Sequence, residues 1–281
     1  MACDTFLKNY RCTASVSDVG TARENNEDSV LVMDGAGCYA VSDGMGGGSA
    51  GEIASSTVVT YIRNALGGQL LPPQCRRELF STAVYSAHDA ILKYARKHEY
   101  ETMGATLVGL LLDPWMPNRA DIYFAGDSRI YRIRGGRLKC LSADHTVSQA
   151  FGIPEKDLPG YMSGVLSNAV GIQSGFFLAS ESIDIRKNDI LLLCSDGLYR
   201  QISEDSMASA LTKKCDLDAV LAGWVKQANA DKGLDNLSAV AIRFSELPPP
   251  YDPDPEEKRL NDTPDIAAKI AEEENLGDTI I

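Results

Sequence analysis

The sequence of 281 residues lacks the features that mark membrane, secreted and nucleic-acid-binding proteins. No apolar run approaches the roughly 20 residues that cross a bilayer, and the N-terminal stretch MACDTFLKNYRC is too polar for a secretion signal. Basic residues number 27 against 39 acidic ones, and they form no stripe of the kind that nucleic acid attracts. These absences predict a soluble, cytoplasmic protein with no membrane span and no nucleic-acid partner.

Closely spaced cysteines are also missing. The seven cysteines stand at positions 3, 12, 38, 75, 140, 194 and 215, and no pair has the spacing of a zinc site or a redox dithiol. Several of them fall within apolar strand or helix patterns. We therefore expect reduced thiols in the core of a protein from a reducing compartment.

The acidic charge is concentrated at the C-terminal end. Of the net charge of −12, residues 246–281 carry −8, and this stretch opens with three prolines and is too polar to bury much surface. We predict a globular domain of residues 1–245 and an acidic, proline-rich tail of residues 246–281. Within the tail, Thr263-Pro264 predicts the start of a short helix. The tail is interpreted either as a disordered solubilising extension or as a docking or autoinhibitory segment.

Apolar runs predict strands that come in groups, separated by pairs of helices. This order favours an α+β fold in which antiparallel sheets are covered by helices, rather than βαβ winding. Residues 146–171 are rich in Gly, Ser and Pro and are predicted to form an irregular segment, here called the flap. The predicted strands are Cys12–Val16, Ser29–Met33, Gly37–Val41, Ala105–Leu112, Asp121–Ala125, Ile130–Arg134, Arg137–Leu141, Phe177–Ile185, Ile190–Cys194 and Leu237–Phe244. The predicted helices run from Ser49 to Gly67, after Pro72-Pro73, over Ser203–Lys213 and over Asp216–Asn229.

Two of the apolar runs end in the same tripeptide. Gly37–Val41 leads into Ser42-Asp43-Gly44, and Asp189–Cys194 leads into Ser195-Asp196-Gly197. If the two strands were neighbours, the two aspartates would meet where the strands leave the core. Paired carboxylates repel each other unless a cation holds them together, so the repeat predicts a metal site.

Other acids occupy the same kind of position, at the ends of predicted strands. They are Glu27, Asp28, Asp127 and Asp235. Each one alone has an ordinary alternative, such as a turn or a solvated loop. Together with Asp43 and Asp196 they make six carboxylates, without a His or Cys at ligand spacing. Oxygen ligands select Mn²⁺ or Mg²⁺ over zinc or copper, and the carbonyl of Gly44 is a further candidate ligand.

Seven motifs follow one another along the chain: GTARENNEDS (20–29), VSDGMGGGSAGEIAS (41–55), GATLV (104–108), AGDSRIY (125–131), DHT (144–146), LLLCSDGL (191–198) and DNLS (235–238). In this order they resemble the motifs of the PP2C (PPM) family of metal-dependent protein serine/threonine phosphatases. The form Asp43-Gly44-Met45-Gly46-Gly47 is similar to the bacterial type. The implied fold is a four-layer α-β-β-α sandwich of two antiparallel sheets flanked by helix pairs.

The resemblance also implies roles for the acidic residues. Asp43 would bridge two Mn²⁺ or Mg²⁺ ions, the Gly44 carbonyl would bind one of them, and Asp196 and Asp235 would complete the other. Glu27 and Asp28 would hold metal-bound waters, and Asp127 with Asp196 would hold a third, weaker ion. Arg23 would bind the substrate phosphate through its planar fork.

The implied reaction is hydrolysis of phosphoserine or phosphothreonine by a metal-activated water, with Arg23 and Asp43 as the catalytic residues. The implied partners are phosphoproteins and an opposing Ser/Thr kinase, and we expect a monomer. Two alternatives stay open at this point. One is a catalytically weak or inactive PP2C-like domain that acts as a protein-binding regulator. The other is a two-metal hydrolase of diesters or nucleotides.

Some positions depart from the family pattern. Met45 stands where eukaryotic relatives carry a histidine, so the general acid is unassigned, with a metal-bound water as the stand-in. Bacterial relatives have a basic residue where this chain has Asn168, and the substrate choice set by the flap is therefore not carried over. His145 is interpreted as structural, and His88 and His98 as surface residues.

Overall fold

The computed structural model describes residues 10–46, 50–67, 71–172, 175–213, 216–253, 255, 258 and 259. The predicted helix cap at Ser49 and the predicted tail helix after Thr263 lie outside these residues. The strands are β1 (Arg11–Asp18), β2 (Asp28–Met33), β3 (Cys38–Gly46), β4 (Met103–Ala105), β5 (Leu107–Leu112), β6 (Arg119–Ala125), β7 (Arg129–Arg134), β8 (Arg137–Cys140), β9 (Ala179–Asp184), β10 (Ile190–Cys194) and β11 (Leu237–Phe244). The helices are α1 (Ala50–Leu66), α2 (Pro73–Lys97), α3 (Val147–Phe151), α4 (Asp196–Tyr199), α5 (Glu204–Thr212) and α6 (Leu217–Ala230).

The strands form two antiparallel sheets. The first sheet has the order β1-β11-β10-β7-β8, and the second has the order β2-β3-β5-β6-β9, with β4 paired to β3. The predicted hairpin at Gly135-Gly136 joins β7 to β8. Eight of the ten predicted strands match observed strands with ends that shift by at most two residues. The other two predictions are corrected: β3 runs to Gly46, five residues beyond its predicted end, and the predicted strand Ala105–Leu112 is divided into β4 and β5.

The inner faces of the two sheets pack against each other. Tyr39 and Val41 of β3 share one core with Leu191 and Leu193 of β10, between the sheets. The alternate residues face outward: Ala40 of β3 packs with α1 and α2, while residues 192 and 194 of β10 pack with α5 and α6. Because both faces of these strands are buried, their sequences are apolar without alternation. The predicted four-layer sandwich is confirmed.

The two Ser-Asp-Gly tripeptides do not come from neighbouring strands of one sheet. The first lies within β3 and the second follows β10, and these two strands belong to opposite sheets. An apolar run indicates burial on both faces but not which strand pairs with it, since pairing is decided by distant parts of the chain. The two aspartates therefore meet across the sandwich.

The helices begin where the sequence supplies capping residues. Ser203 caps α5 by accepting a hydrogen bond from the backbone N–H of Ser206, and Asp216 caps α6 in the same way through Asp218. Helix α2 begins at Pro73, whose missing N–H would be unpaired at that position anyway. No helix within the described residues is long and apolar enough to cross a membrane.

The flap is less regular than the rest of the domain. It contains α3, capped by Thr146, and two short 3₁₀ turns at Glu155–Asp157 and Gly160–Met162. Its base is tied to the domain by backbone pairing of Thr146 with Leu166, and Val170 pairs with Ala105 next to β4. Along the flap, the side chains of Phe151 and Tyr161 are largely exposed.

Candidate metal centre

Two aspartates face each other on adjacent strands. In the antiparallel pairing of β2 with β3, Asp28 and Asp43 are direct partners. Side chains alternate along a strand, so Asp43 lies on the same face as Tyr39 and Val41, which is the face between the sheets. Carboxylates directly opposite each other are destabilising. The register of these two strands therefore creates a site that needs a proton or a cation.

Two further aspartates reach the same place from other strands. Asp196 follows β10 as the first residue of α4, and Asp127 follows β6. Both are buried, as is Asp28, whereas Asp43 is partly exposed. Asp43 and Asp196 are close enough that the charge of Asp196 raises the pKa of Asp43. The structure thus brings four of the six predicted acids to the same end of the sandwich.

The remaining two acids lie at the edge of this cluster, on two loops that one asparagine holds together. The Asn236 side chain accepts a hydrogen bond from the backbone N–H of Glu27 at 2.8 Å and donates to the carbonyls of residues 19 and 25. On the same loops, the Arg23 guanidinium lies 3.0 Å from the Asp235 carboxylate. Arg23, Glu27 and Asp235 therefore lie next to one another at the edge of the acidic cluster.

Asp28, Asp43 and Asp127 hold protons more tightly than ordinary carboxyls, because the pKa of each is raised. Burial raises the pKa of Asp28 to about 7, and the charges of Asp196 and Asp235 add to this effect. Burial, together with Asp196, raises the pKa of Asp127 to about 6. The pKa of Asp43 is raised well above its ordinary value by burial and by the charges of Asp28 and Asp196. Mutual repulsion of this kind is relieved when a cation binds.

The donor atoms fit a hard cation. The buried Oδ1 atom of Asp28 has no hydrogen-bond partner, which is rare for a buried carboxylate and is expected of an atom that faces a ligand. All six side chains offer oxygen, the donor that Mn²⁺ and Mg²⁺ prefer. In the part of the chain that the structure describes, however, no three His, Cys, Asp or Glu side chains are already grouped as a ligand set. Arginines lie against three of the acids: Arg23 against Asp235, and Arg200 against Asp127 and Asp196.

The glycines that follow Asp43 and Asp196 allow close backbone contacts. A Cβ atom on Gly44 would lie 2.0 Å from the carbonyl oxygen of Gly51, and one on Gly197 would lie 1.9 Å from that of Asn236. Neither contact is possible for a residue with a side chain. Both tripeptides thus need glycine for the same reason, and the approach of Gly197 to Asn236 fixes Asp196 relative to the loop that carries Asp235.

Sequence reasoning missed one charged residue at the site. Arg200 lies 3.0 Å from the carboxylate of Asp196 and 3.4 Å from that of Asp127. The spacing from Asp196 to Arg200 is four residues, which places the two side chains on one face of a helix. This spacing is visible in the sequence, but only the structure shows that the tripeptide opens a helix.

The histidines have the contacts of structural residues. The Nδ1 atom of His145 accepts hydrogen bonds from the backbone of Gly126 at 3.3 Å and from Asn168 at 3.0 Å. Asn168 in turn binds both backbone groups of Phe177 and so fastens the base of the flap.

The surface assignment of His88 is wrong. Its ring is half-buried, stacks on Phe176 and accepts a hydrogen bond from Gly171. The contact was not predictable because the loop that carries Phe176 and Gly171 is distant in sequence. His98 is exposed, as expected.

Comparison with protein families identifies the group of proteins to which this chain is similar. The family model described as Protein phosphatase 2C matches residues 20–239. The chain belongs to the protein phosphatase 2C family. This membership confirms the prediction of a metal-dependent serine/threonine phosphatase of the bacterial type.

Three relatives of this phosphatase illustrate the match. Protein phosphatase PhpP of Streptococcus pneumoniae is 29% identical over 240 residues, which are 82% of this chain and 96% of PhpP. The structure of PppA, a key regulatory component of T6SS in Pseudomonas aeruginosa, is 32% identical with a TM-score of 0.75 and matches 83% of this chain and 97% of that one. The catalytic domain of serine/threonine phosphatase PstP in complex with two manganese ions is 28% identical with a TM-score of 0.73, over 84% of this chain and 99% of that one.

Proposed function

We propose that this phosphatase hydrolyses phosphoserine and phosphothreonine in proteins, with Mn²⁺ or Mg²⁺ held at the end of the sandwich where the six acids meet. The observation that carries the proposal is the direct cross-strand pairing of Asp28 with Asp43. Such a pair is unfavourable in a metal-free fold and favourable around a cation. The manganese ions bound by the related PstP domain support the choice of metal.

The metal would be held by oxygen atoms from both sheets. Asp43, between the sheets, would contact both core ions, with the carbonyl of Gly44 on one of them. Asp196 and Asp235 would hold the other, and Glu27 and Asp28 would act through water. When bound, the ions supply Lewis-acid activation of water and neutralise phosphoryl charge.

Arg23 would orient the substrate. Its side chain is about half exposed, and one nitrogen is anchored on Asp235. The other N–H groups of the guanidinium fork can therefore meet phosphate oxygens beside the acids without losing the anchor. Met45 carries no ionisable proton, so this position does not supply a proton to the leaving alkoxide.

The proposed partners are phosphoproteins and a Ser/Thr kinase whose action the phosphatase reverses. We propose that the chain acts as a monomer in the cytoplasm, where thiols stay reduced. Cys38 and Cys194, free thiols buried in opposite sheets, support a reducing compartment. Light scattering of the purified chain tests the monomer, since a mass of two chains would contradict it.

Hydrolysis assays of the purified full chain test the activity. We expect turnover of p-nitrophenyl phosphate and of a phosphothreonine peptide that depends on added Mn²⁺ and disappears with a chelator. A bis-p-nitrophenyl phosphate control should be hydrolysed far more slowly. No turnover at any Mn²⁺ concentration would favour a protein-binding regulator, and preference for the diester would favour a nucleotide or diester hydrolase.

A further inference from the structure

Arg200 lies between two acids that come from different strands. Its Nη2 atom is 3.0 Å from Oδ2 of Asp196 and 3.4 Å from Oδ2 of Asp127. The two carboxylates are buried, while the arginine side chain is half exposed. One guanidinium nitrogen thus bridges both acids from the solvent side.

The bridge is held in a rigid frame. The hydroxyl of Tyr199, the residue before Arg200, donates a hydrogen bond to the backbone carbonyl of Asp127 at 3.0 Å. The Tyr199 ring lies under the guanidinium of Arg129, 3.9 Å from its centroid, and Arg129 is fixed by two hydrogen bonds to Asp144. These contacts hold the C-terminal end of α4 against Asp127, so the backbone of Arg200, the next residue, is fixed close to that acid.

The arginines that pair with the acidic cluster lie at its edges. Among the ion pairs of the described residues, Arg23 reaches Asp235, and Arg200 reaches Asp127 and Asp196. Within the described residues, neither Asp28 nor Asp43 forms an ion pair, which leaves the centre of the cluster without a positive side chain. A cation from solution would therefore relieve the most repulsion at Asp28 and Asp43. It would relieve the least at Asp127 and Asp196, whose charges Arg200 already balances.

We infer that Arg200 is a built-in cation that takes the place of a metal ion between Asp127 and Asp196, so that this phosphatase uses two ions rather than three. The inference rests on the proposed function, since it concerns the same acids. Arginine keeps its charge at every pH at which proteins fold, and its tether holds it at a high effective concentration beside the two carboxylates. A weakly bound divalent ion would have to displace it or sit against a like charge.

Metal stoichiometry tests the inference without an activity assay. We suggest equilibrium dialysis of the full chain against Mn²⁺, with bound metal measured by mass spectrometry, for the natural protein and for Arg200→Gln, Arg200→Ala and Arg200→Lys. The matched control is Arg186→Gln, which removes an exposed arginine from an ion pair with Asp184. We expect the Gln and Ala variants to bind one more Mn²⁺ per chain, and the Lys variant and the control to bind as the natural protein does.

A double variant locates the additional ion. Adding Asp127→Asn to Arg200→Gln should return the stoichiometry to that of the natural protein, because one of the two carboxylates is lost. Melting temperatures at rising Mn²⁺ concentration give a second measurement, in which Arg200→Gln should show a further increase that Arg186→Gln lacks.

The outcomes separate the inference from the proposed function. If the natural protein binds Mn²⁺ but folded Arg200→Gln and Arg200→Ala bind no more of it, the inference is wrong and the proposed function stands. A gain in Arg200→Lys equal to that in Arg200→Gln would also overturn it, since the charge would not matter. If the natural protein binds no Mn²⁺ at all, the metal-dependent function fails, and the inference fails with it.

Discussion

The hydroxyl of Ser195 donates a hydrogen bond to Oδ2 of Asp28 at 2.8 Å, and this bond joins the two sheets of the sandwich. Ser195 directly follows β10 of one sheet, and Asp28 begins β2 in the other. The same hydroxyl accepts a hydrogen bond from the backbone N–H of Ser238 at 3.0 Å, which fixes its direction. The protein thereby orients one oxygen of Asp28 and leaves Oδ1 without a partner. The serine of the second Ser-Asp-Gly tripeptide thus orients the carboxylate of Asp28, which belongs to a strand of the other sheet.

Replacing Ser195 with alanine should destabilise the protein and weaken metal binding. The backbone N–H of Ser238 and one oxygen of Asp28 would both lose a buried partner, at about 1–3 kcal/mol of unfolding free energy. Urea unfolding and Mn²⁺ titration measure the two effects. Ser56→Ala, which removes an exposed helix hydroxyl bonded to Ile53, should change the unfolding free energy by less than about 0.5 kcal/mol. Equal effects of the two variants would contradict the assigned role of Ser195.

Asp43→Asn should abolish turnover. The change removes the charge that is proposed to contact both core ions, and metal-ion effects worth several kcal/mol correspond to roughly a thousandfold or more in rate. The matched control is Asp121→Asn, a buried aspartate at the start of β6 that pairs with Arg77 and Ser182. The control should keep its turnover with p-nitrophenyl phosphate. Retained activity in Asp43→Asn would refute the bridging role.

Arg23→Ala should lower kcat/KM by about 10- to 100-fold, the range expected when charged hydrogen bonds to a phosphate are lost. Inhibition by inorganic phosphate should weaken in parallel, because the same fork binds the free anion. Steady-state kinetics with Arg186→Ala as the control measure both. An unchanged kcat/KM in Arg23→Ala would show that the arginine does not contact the substrate.

Removal of metal should make stability depend on pH in a defined direction. The pKa of Asp28 is about 7 in the metal-free fold, against an ordinary value of 3.8. Its contribution to stability is therefore fully present below the ordinary value and is lost as the pH rises through about 7. With EDTA, the melting temperature should be lower at about pH 7.5 than at about pH 5, and added Mn²⁺ should raise it most at the higher pH.

Asp28→Asn is the control for this pH effect, because the amide does not titrate. The difference in melting temperature between the two pH values should shrink in this variant when EDTA is present. A melting temperature that is indifferent to EDTA at both pH values would contradict a preformed cluster of repelling acids.

Gly197→Ala should be strongly destabilising. The new Cβ would lie 1.9 Å from the backbone oxygen of Asn236, and a backbone atom cannot move aside as a flexible side chain does. We expect a loss of about 3 kcal/mol or more. Gly223→Ala is the matched control, since no atom lies within 4 Å of its Cβ position in α6, and it should stabilise the protein by about 0.5–1 kcal/mol. Urea unfolding of both variants checks the pair.

The sequence predicted the fold class for identifiable reasons, and the positions of the acids relative to the apolar runs can be read from it directly. Runs such as residues 190–194, apolar on both faces, occur only in strands that are covered on both sides, and capping residues such as Ser203 and Asp216 set helix starts within a residue or two. Acids at the ends of such strands had to lie at the margin of the core. These are local properties, and a local pattern is sufficient to reveal them.

Only the tertiary structure decided which of these acids contact one another and which arginines they pair with. The two Ser-Asp-Gly aspartates meet across opposite sheets, Asp28 pairs directly with Asp43, and Arg200 bridges Asp127 and Asp196. None of these contacts follows from the residues concerned, because strand register and sheet packing are set by interactions between distant segments. The sequence by itself determined that six carboxylates stand beside apolar, strand-forming runs. The packing of the two sheets decided which of them repel each other, and hence where a cation stabilises the fold.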